Sequence, residues 1–312
     1  MKKTAKYIGI ALAFMGLTTL WSCSEDDLSS TSVFDGETTE EQSEFDKWLQ
    51  ENYVKDYNIS YQYRYIDRES NMSYDVVPAE YDKAVGMAKL LKHVWLEAYT
   101  ETAGETFVKK YAFKVVQLIG SFQYLEDGSR VLGTAEGGLK IMLYGINHLD
   151  LDNISVDADD PFNTSEGTGS TPLNCNYFYF HTMHHEFCHI LTQTKDYTTD
   201  FRSISVGKYH SSDWQTLANA TTAPDGFVSA YASKEYNEDF AEVYSTYVTS
   251  SEKGWQKVLD MAGEEGSALI QQKLDIVKSY FRDSWNIDID EVREVVLRRS
   301  QEAPSLDLHT LN

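Results

Sequence analysis

Residues 176–193, NYFYFHTMHHEFCHILTQ, constrain this chain more than any other stretch. Their apolar members Phe180, Met183, Phe187, Ile190 and Leu191 recur at steps of three and four, the spacing of a helix with one buried face. On such a helix His185 and His189 stand one turn apart on the same side, so their imidazoles can converge on one point. Glu186, the next residue round, can reach a water held at that point without binding there itself. His-Glu-x-x-His on a helix is the arrangement in which two histidines bind zinc and the glutamate acts as general base. His181 and His184 share the helix, but the i, i+4 pair is already complete, and both read as packing or exposed residues.

Two histidines do not complete such a site, because catalytic zinc usually has three protein ligands and one water. A glycine and a third histidine at metzincin spacing would fall on Thr192 and Lys195, which excludes that class. His210 and Asp200 lie within reach but have no helical context to fix them. Glu238 is the candidate. Phe240, Ala241, Tyr244, Tyr247 and Val248 form a helical stripe that Asn237 or Ser233 could cap, and Glu238 and Glu242 fall one turn apart on its margin. Carboxylates at such an edge need partners to offset desolvation. Zinc would serve Glu238, and a histidine N–H would serve Glu242. Taken by itself the segment also fits an acidic first turn favoured by the helix dipole.

The N-terminus reads as an export signal. Lys2, Lys3 and Lys6 precede an apolar run from Ile8 to Leu20, too short and wrongly flanked for a membrane span. Leu20-Trp21-Ser22-Cys23 looks like a lipobox, which would make residues 1–22 the signal peptide and Cys23 the lipidated residue; an ordinary cleaved signal with an incidental Cys is the alternative. Ser24-Glu25-Asp26-Asp27 resembles the acidic surface-export signal of outer-membrane lipoproteins in Gram-negative gut-type bacteria. The expected location is therefore the outer membrane, facing the cell surface, with the periplasmic face as the alternative. Through residue 39 the chain reads as a flexible acidic tether. Lys and Arg total 27 against 49 Asp and Glu, for a net charge of −22, which argues against nucleic acid as a partner. The 21 tyrosines read chiefly as core, and Cys175 and Cys188 as two free buried thiols.

Residues 40–312 read as a single α+β domain, with a sheet-bearing part to residue 170 and a helical part after it. Helices are expected over 40–53 and 79–99, and strands over 57–66, 111–121 and 139–146. Gly133 to Gly138 reads as a glycine-rich turn beside an edge strand along which a bound peptide could run. The acidic run 149–160 lacks calcium-loop spacing and reads as a solvated loop. A long polar excursion, 194–226, is expected over one side of the cleft. Helices over 255–261, 267–280 and 287–299 would close the domain.

HExxH followed on a later helix by Glu-x-x-x-Glu resembles the gluzincin pattern, and its lethal-factor-like branch in particular. That branch has a tyrosine seven residues before the glutamate ligand, where this chain has Tyr231, and Glu238-Asp239-Phe240-Ala241-Glu242 matches its helix. With the lipoprotein start, the chain is similar to substrate-import-associated zinc metallohydrolase lipoproteins, zinc metallopeptidases encoded near starch-utilisation-type importers. The resemblance implies a zincin-like α+β fold with a mixed sheet, an active-site HExxH helix and a C-terminal helical part. It implies Zn(2+) on His185, His189 and Glu238, Glu186 as general base, and Tyr231 as a hydrogen-bond donor to the oxyanion. A core tyrosine is the alternative for Tyr231. A peptide or glycopeptide substrate and an importer complex are the partners it implies. A zinc-stabilised surface protein that captures glycans or peptides without chemistry is the rival reading.

Overall fold

The computed structural model describes residues 42–66, 74–124, 130–131, 133–136 and 139–311. The expected signal peptide, Cys23 and the expected tether lie outside the described residues. The chain divides into residues 1–43 and a second unit, Glu44–Asn312, which carries every element named below.

Helix α1 (Glu44–Leu49) continues through π-type turns to Lys55 and turns Phe45, Leu49 and Tyr53 inward. Strand β1 (Ser60–Gln62) follows. Only these three residues of the expected 57–66 strand enter the ladder; Asn58, with φ of 59°, breaks the extended run ahead of them. Helix α2 (Tyr81–Leu91) runs through π-type turns, Lys92–Leu96, into α3 (Glu97–Ala103). Val94, Trp95 and Leu96, in this wider-wound stretch, are all buried. Gly104, with φ of 89°, ends the run before α4 (Glu105–Tyr111).

The strands β2 (Val115–Leu118), β3 (Gln123–Tyr124), β4 (Arg130–Val131), β5 (Gly133–Glu136) and β6 (Lys140–Leu143) come next. A four-stranded sheet has the order β1-β2-β6-β5; β3 and β4 form a separate two-stranded ribbon. β1, β2 and β6 are parallel and β5 is antiparallel to β6, so the sheet is mixed. Gly133 to Glu136 therefore form the edge strand itself and not a turn beside it. Backbone bonding to β6, from Gly133 opposite Leu143 to Glu136 opposite Lys140, needs no large side chains.

Helix α5 (His181–Thr194) carries the HExxH run, preceded by π-type turns over Asn176–Phe180. Phe187 locks it to the helices that cover the sheet. Its ring meets those of Trp95, Tyr99 and Phe107 edge-on at 5.4, 4.8 and 6.1 Å. Full burial of such a ring contributes roughly 1.5–3 kcal/mol, with more from the edge-to-face contacts. The Tyr179 hydroxyl donates to the Gly145 carbonyl at 3.0 Å, tying the start of this segment to the end of β6. Gly145 has φ of 74°, and a Cβ there would meet the Phe122 ring at 2.2 Å, so both backbone and packing require glycine.

The excursion after α5 holds short helices α6 (Asp200–Ile204) and α7 (Asn219–Thr222). α8 (Tyr236–Thr249) then packs extensively on α5. Tyr197 stacks on Phe240 at 4.0 Å and Phe281 on Tyr244 at 4.2 Å. α9 (Glu252–Tyr280) is one long helix bent at Gly263, which has φ of 69°. That bend falls in the gap between the two helices expected over 255–261 and 267–280. α10 (Ile289–Glu302) ends the fold, with Arg298 on Glu101 and Arg299 on Glu97 at 2.7 Å each. Both Cys175 and Cys188 are free and buried, and burial pushes the Cys175 thiol up to about 12.

Candidate metal centre

Helices α5 and α8 bring three donor atoms to one place. His185 Nε2, His189 Nε2 and Glu238 Oε2 lie 3.1 Å from one another in every pairing. Among the described residues this is the one trio of His, Cys, Asp or Glu side chains whose donor atoms cluster closely enough to hold a metal. His185 and Glu238 are buried and His189 is half-buried.

The charge pattern of the pocket favours a cation. Burial opposes charge on His185, yet the carboxylates of Glu238 and Glu242 outweigh it and raise its pKa to about 10. Burial likewise opposes the Glu238 carboxylate, and His185, His189 and Lys234 hold it far below the usual range. Glu242 Oε1 stands 2.9 Å from His185 Nδ1. Burial works against Glu242 too, and His181 with His185 takes it down to about 2.

The donor set fits zinc. Zinc takes imidazole nitrogen and carboxylate oxygen at roughly 2.0–2.2 Å, which puts tetrahedral donors roughly 3.3–3.5 Å apart. The 3.1 Å triangle seen here needs only a slight spread to accept such an ion.

Glu186 is half-buried, and its carboxyl interacts with His185, His189, Glu238 and Glu242. Desolvation pushes its pKa up against the pull of the two histidines. The Tyr231 ring lies 5.7 Å from that of His185. Burial, then the charge of Glu238, raises the Tyr231 pKa, so its phenol stays protonated. His210 pairs with Asp213 at 3.3 Å, and among the described residues neither it nor Asp200 belongs to the donor cluster. His184 is fully buried and bonds the Tyr99 hydroxyl through Nδ1 at 2.7 Å; burial drives its pKa down to about 3. His181 Nε2 faces Ser245 and Glu242.

Three supporting groups carry little signal in the sequence. Ser229 Oγ donates to Glu242 Oε2 at 2.6 Å and accepts from the Ala232 N–H at 3.0 Å. It thereby pins the short turn Tyr231–Lys234 to the site. Lys234 Nζ donates to Glu238 Oε1 at 2.8 Å; its i, i+4 spacing from Glu238 is the one legible hint. Behind Glu238, Asp239 and Lys273 form an ion pair at 2.7 Å with both side chains at 0% exposure. Tyr209 donates to Asp239 Oδ2 at 2.9 Å, and Lys273 also donates to the Gly226 carbonyl at 2.7 Å.

A mixed-sheet α+β domain that presents two helical histidines and a carboxylate from a later helix has the form of a zinc metallopeptidase domain. The chain belongs to the family described as "Putative zinc-binding metallo-peptidase", whose model matches residues 37–290. A solved structure titled as a putative zinc-binding metallo-peptidase from Bacteroides caccae is 41% identical, with a TM-score of 0.71. The match covers 88% of this chain and 98% of that one. No curated protein matches.

Proposed function

We propose that this protein is a zinc-dependent hydrolase of peptide bonds, with His185, His189 and Glu238 as the metal ligands. The observation that carries the reading is the convergence of those three donors beside a half-buried glutamate that is not one of them. A purely structural zinc site needs no such glutamate and keeps no open position. When bound, zinc supplies Lewis acidity and brings the pKa of water toward about 7.

Each remaining role falls to a residue of the chain. Glu186, its proton affinity raised by burial, accepts a proton from the attacking water and passes it to the leaving amine. The protonated phenol of Tyr231 donates a hydrogen bond to the oxyanion that develops on the substrate carbonyl. Glu242 holds the far side of the His185 ring, and Ser229 fixes Glu242. β5 is the edge of the sheet and packs beside α5, which supports an extended peptide adding to that edge with its scissile bond over the histidines. The gluzincin assignment rests on the same three ligands and on the tyrosine seven residues before the third.

Anchoring by lipid on Cys23 at the outer membrane, and service to a starch-utilisation-type importer, complete the proposal. They rest on the sequence of residues 1–27 and on the resemblance. Cys23→Ser should abolish incorporation of labelled palmitate.

The test of the chemistry is a peptide and glycopeptide library digested by the zinc-loaded mature protein and by Glu186→Gln. Wild type should cleave members of the library, and the variant should keep its zinc while losing about 10²–10⁴-fold in rate. Full activity in a zinc-replete Glu186→Gln protein would refute the mechanism. If the intact wild type cleaved nothing, the capture reading would replace it.

A further inference from the structure

We infer that Lys234 is a positioning residue that restricts Glu238 to offering one oxygen to the metal. The inference rests on the zinc-hydrolase reading above for its catalytic consequence, but not for its structural one. A glutamate can present either or both oxygens to a cation. Here the two are divided: Oε2 lies 3.1 Å from both imidazole nitrogens, and Oε1 lies 2.8 Å from the Lys234 ammonium.

Lysine pairs on open surfaces seldom hold one geometry. This pair differs, because the Glu238 side chain is only 11% exposed and the lysine leaves a turn that is fastened on several sides. Ser233 accepts from the His210 N–H at 2.6 Å, and Ala232 donates to Ser229 Oγ. Glu235, extended at φ −163°, separates this turn from α8, so Lys234 approaches Glu238 from ahead of the helix. Its ammonium also lies 5.1 Å from the centre of the Tyr231 ring. One short turn thus delivers both the phenol and the ammonium to the same carboxylate.

The consequence is chemical. A carboxylate that gives one oxygen leaves room at the metal for water and substrate carbonyl together. Its other oxygen, bonded to an ammonium, donates less negative charge. Without Lys234, Oε1 is free to turn toward the metal, where it would compete for that room and weaken the Lewis acid.

The test compares wild type with Lys234→Met and Lys234→Arg, each loaded with cobalt(II) in place of zinc. Four-coordinate cobalt absorbs visible light much more strongly than five- or six-coordinate cobalt. Lys234→Met should keep its metal but lose visible absorption, and its kcat with zinc should fall about 10–100-fold while KM stays near wild type. Lys234→Arg should restore most of both. Identical cobalt spectra for wild type and Lys234→Met would overturn the inference, as would loss of metal from that variant. Lys234→Gln serves if the methionine variant does not fold. Unfolding of both would also overturn it, by making Lys234 a residue of the fold. The spectrum needs no substrate, so an inactive wild type would remove the hydrolase reading and leave this one standing. An active wild type with an unchanged Lys234→Met would remove this one alone.

Discussion

Lys273→Met isolates the buried pair that stands behind Glu238. Lys273 is fully buried, 2.7 Å from Asp239 Oδ2 and 2.7 Å from the Gly226 carbonyl, with its ammonium 4.2 Å from the Phe227 ring centre. Removing it leaves the Asp239 carboxylate fully buried with Tyr209 as its remaining donor, since Asp239 Oδ1 has no partner among the described residues. At that separation the Coulomb attraction is about 6 kcal/mol for an effective dielectric near 20. The lysine's own desolvation offsets part of this. Breaking a buried pair from one side costs about 3–5 kcal/mol, which for a domain of this size lowers Tm by about 10 °C. Urea denaturation in excess chelator measures the cost without metal linkage. Lys273→Met/Asp239→Leu should recover most of the loss, because no charge is then left buried alone. A double-mutant cycle should return a coupling of about 2 kcal/mol or more. Strictly additive effects, or a loss under about 1 kcal/mol for Lys273→Met, would show that the pair does not act as a unit.

Other expectations are simpler to check. Tyr231→Phe should retain zinc and lose about 10²–10³-fold in kcat; unchanged turnover with a lower melting temperature would make it a core tyrosine. Zinc at a thousandfold excess over its Kd should stabilise the domain by about 4 kcal/mol, a shift that His189→Ala should abolish in calorimetry. The contact between α10 and α3 should weaken in acid. Desolvation is the largest single influence on the Glu97 and Glu101 carboxylates and raises them, but His93 with Arg299, and Arg298 with Arg299, together outweigh it and hold them below the usual value near 4.5. A depressed carboxylate adds stability that is in place above about 4.5 and is lost as pH falls through its folded value. The gap in urea midpoint between wild type and Arg299→Gln should therefore be open at pH 6 and narrow at pH 3.

The parts of the fold that read well from sequence are those fixed by local periodicity. The stripe of Met183, Phe187 and Leu191 defines α5, and that of Phe240, Tyr244 and Val248 defines α8. The donor trio was legible because two of its members share one helix turn and the third begins another. Pairing was harder. Nothing local marks Gly133 to Glu136 as a strand, because β6 supplies its register from across the hairpin. The alternation at 57–66 overstates a strand that pairs only over Ser60–Gln62. Ser229, Lys234 and the Asp239–Lys273 pair were invisible as a set, since each acts through a contact between segments that only the packed helices create.

His189 and Glu238 are 49 positions apart and meet only where α5 and α8 dock. Extended, the chain holds the histidine pair but not the completed trio, which forms only once the two helices have packed. Capture of an ion by all three groups is therefore a readout of completed tertiary packing, one that needs no substrate.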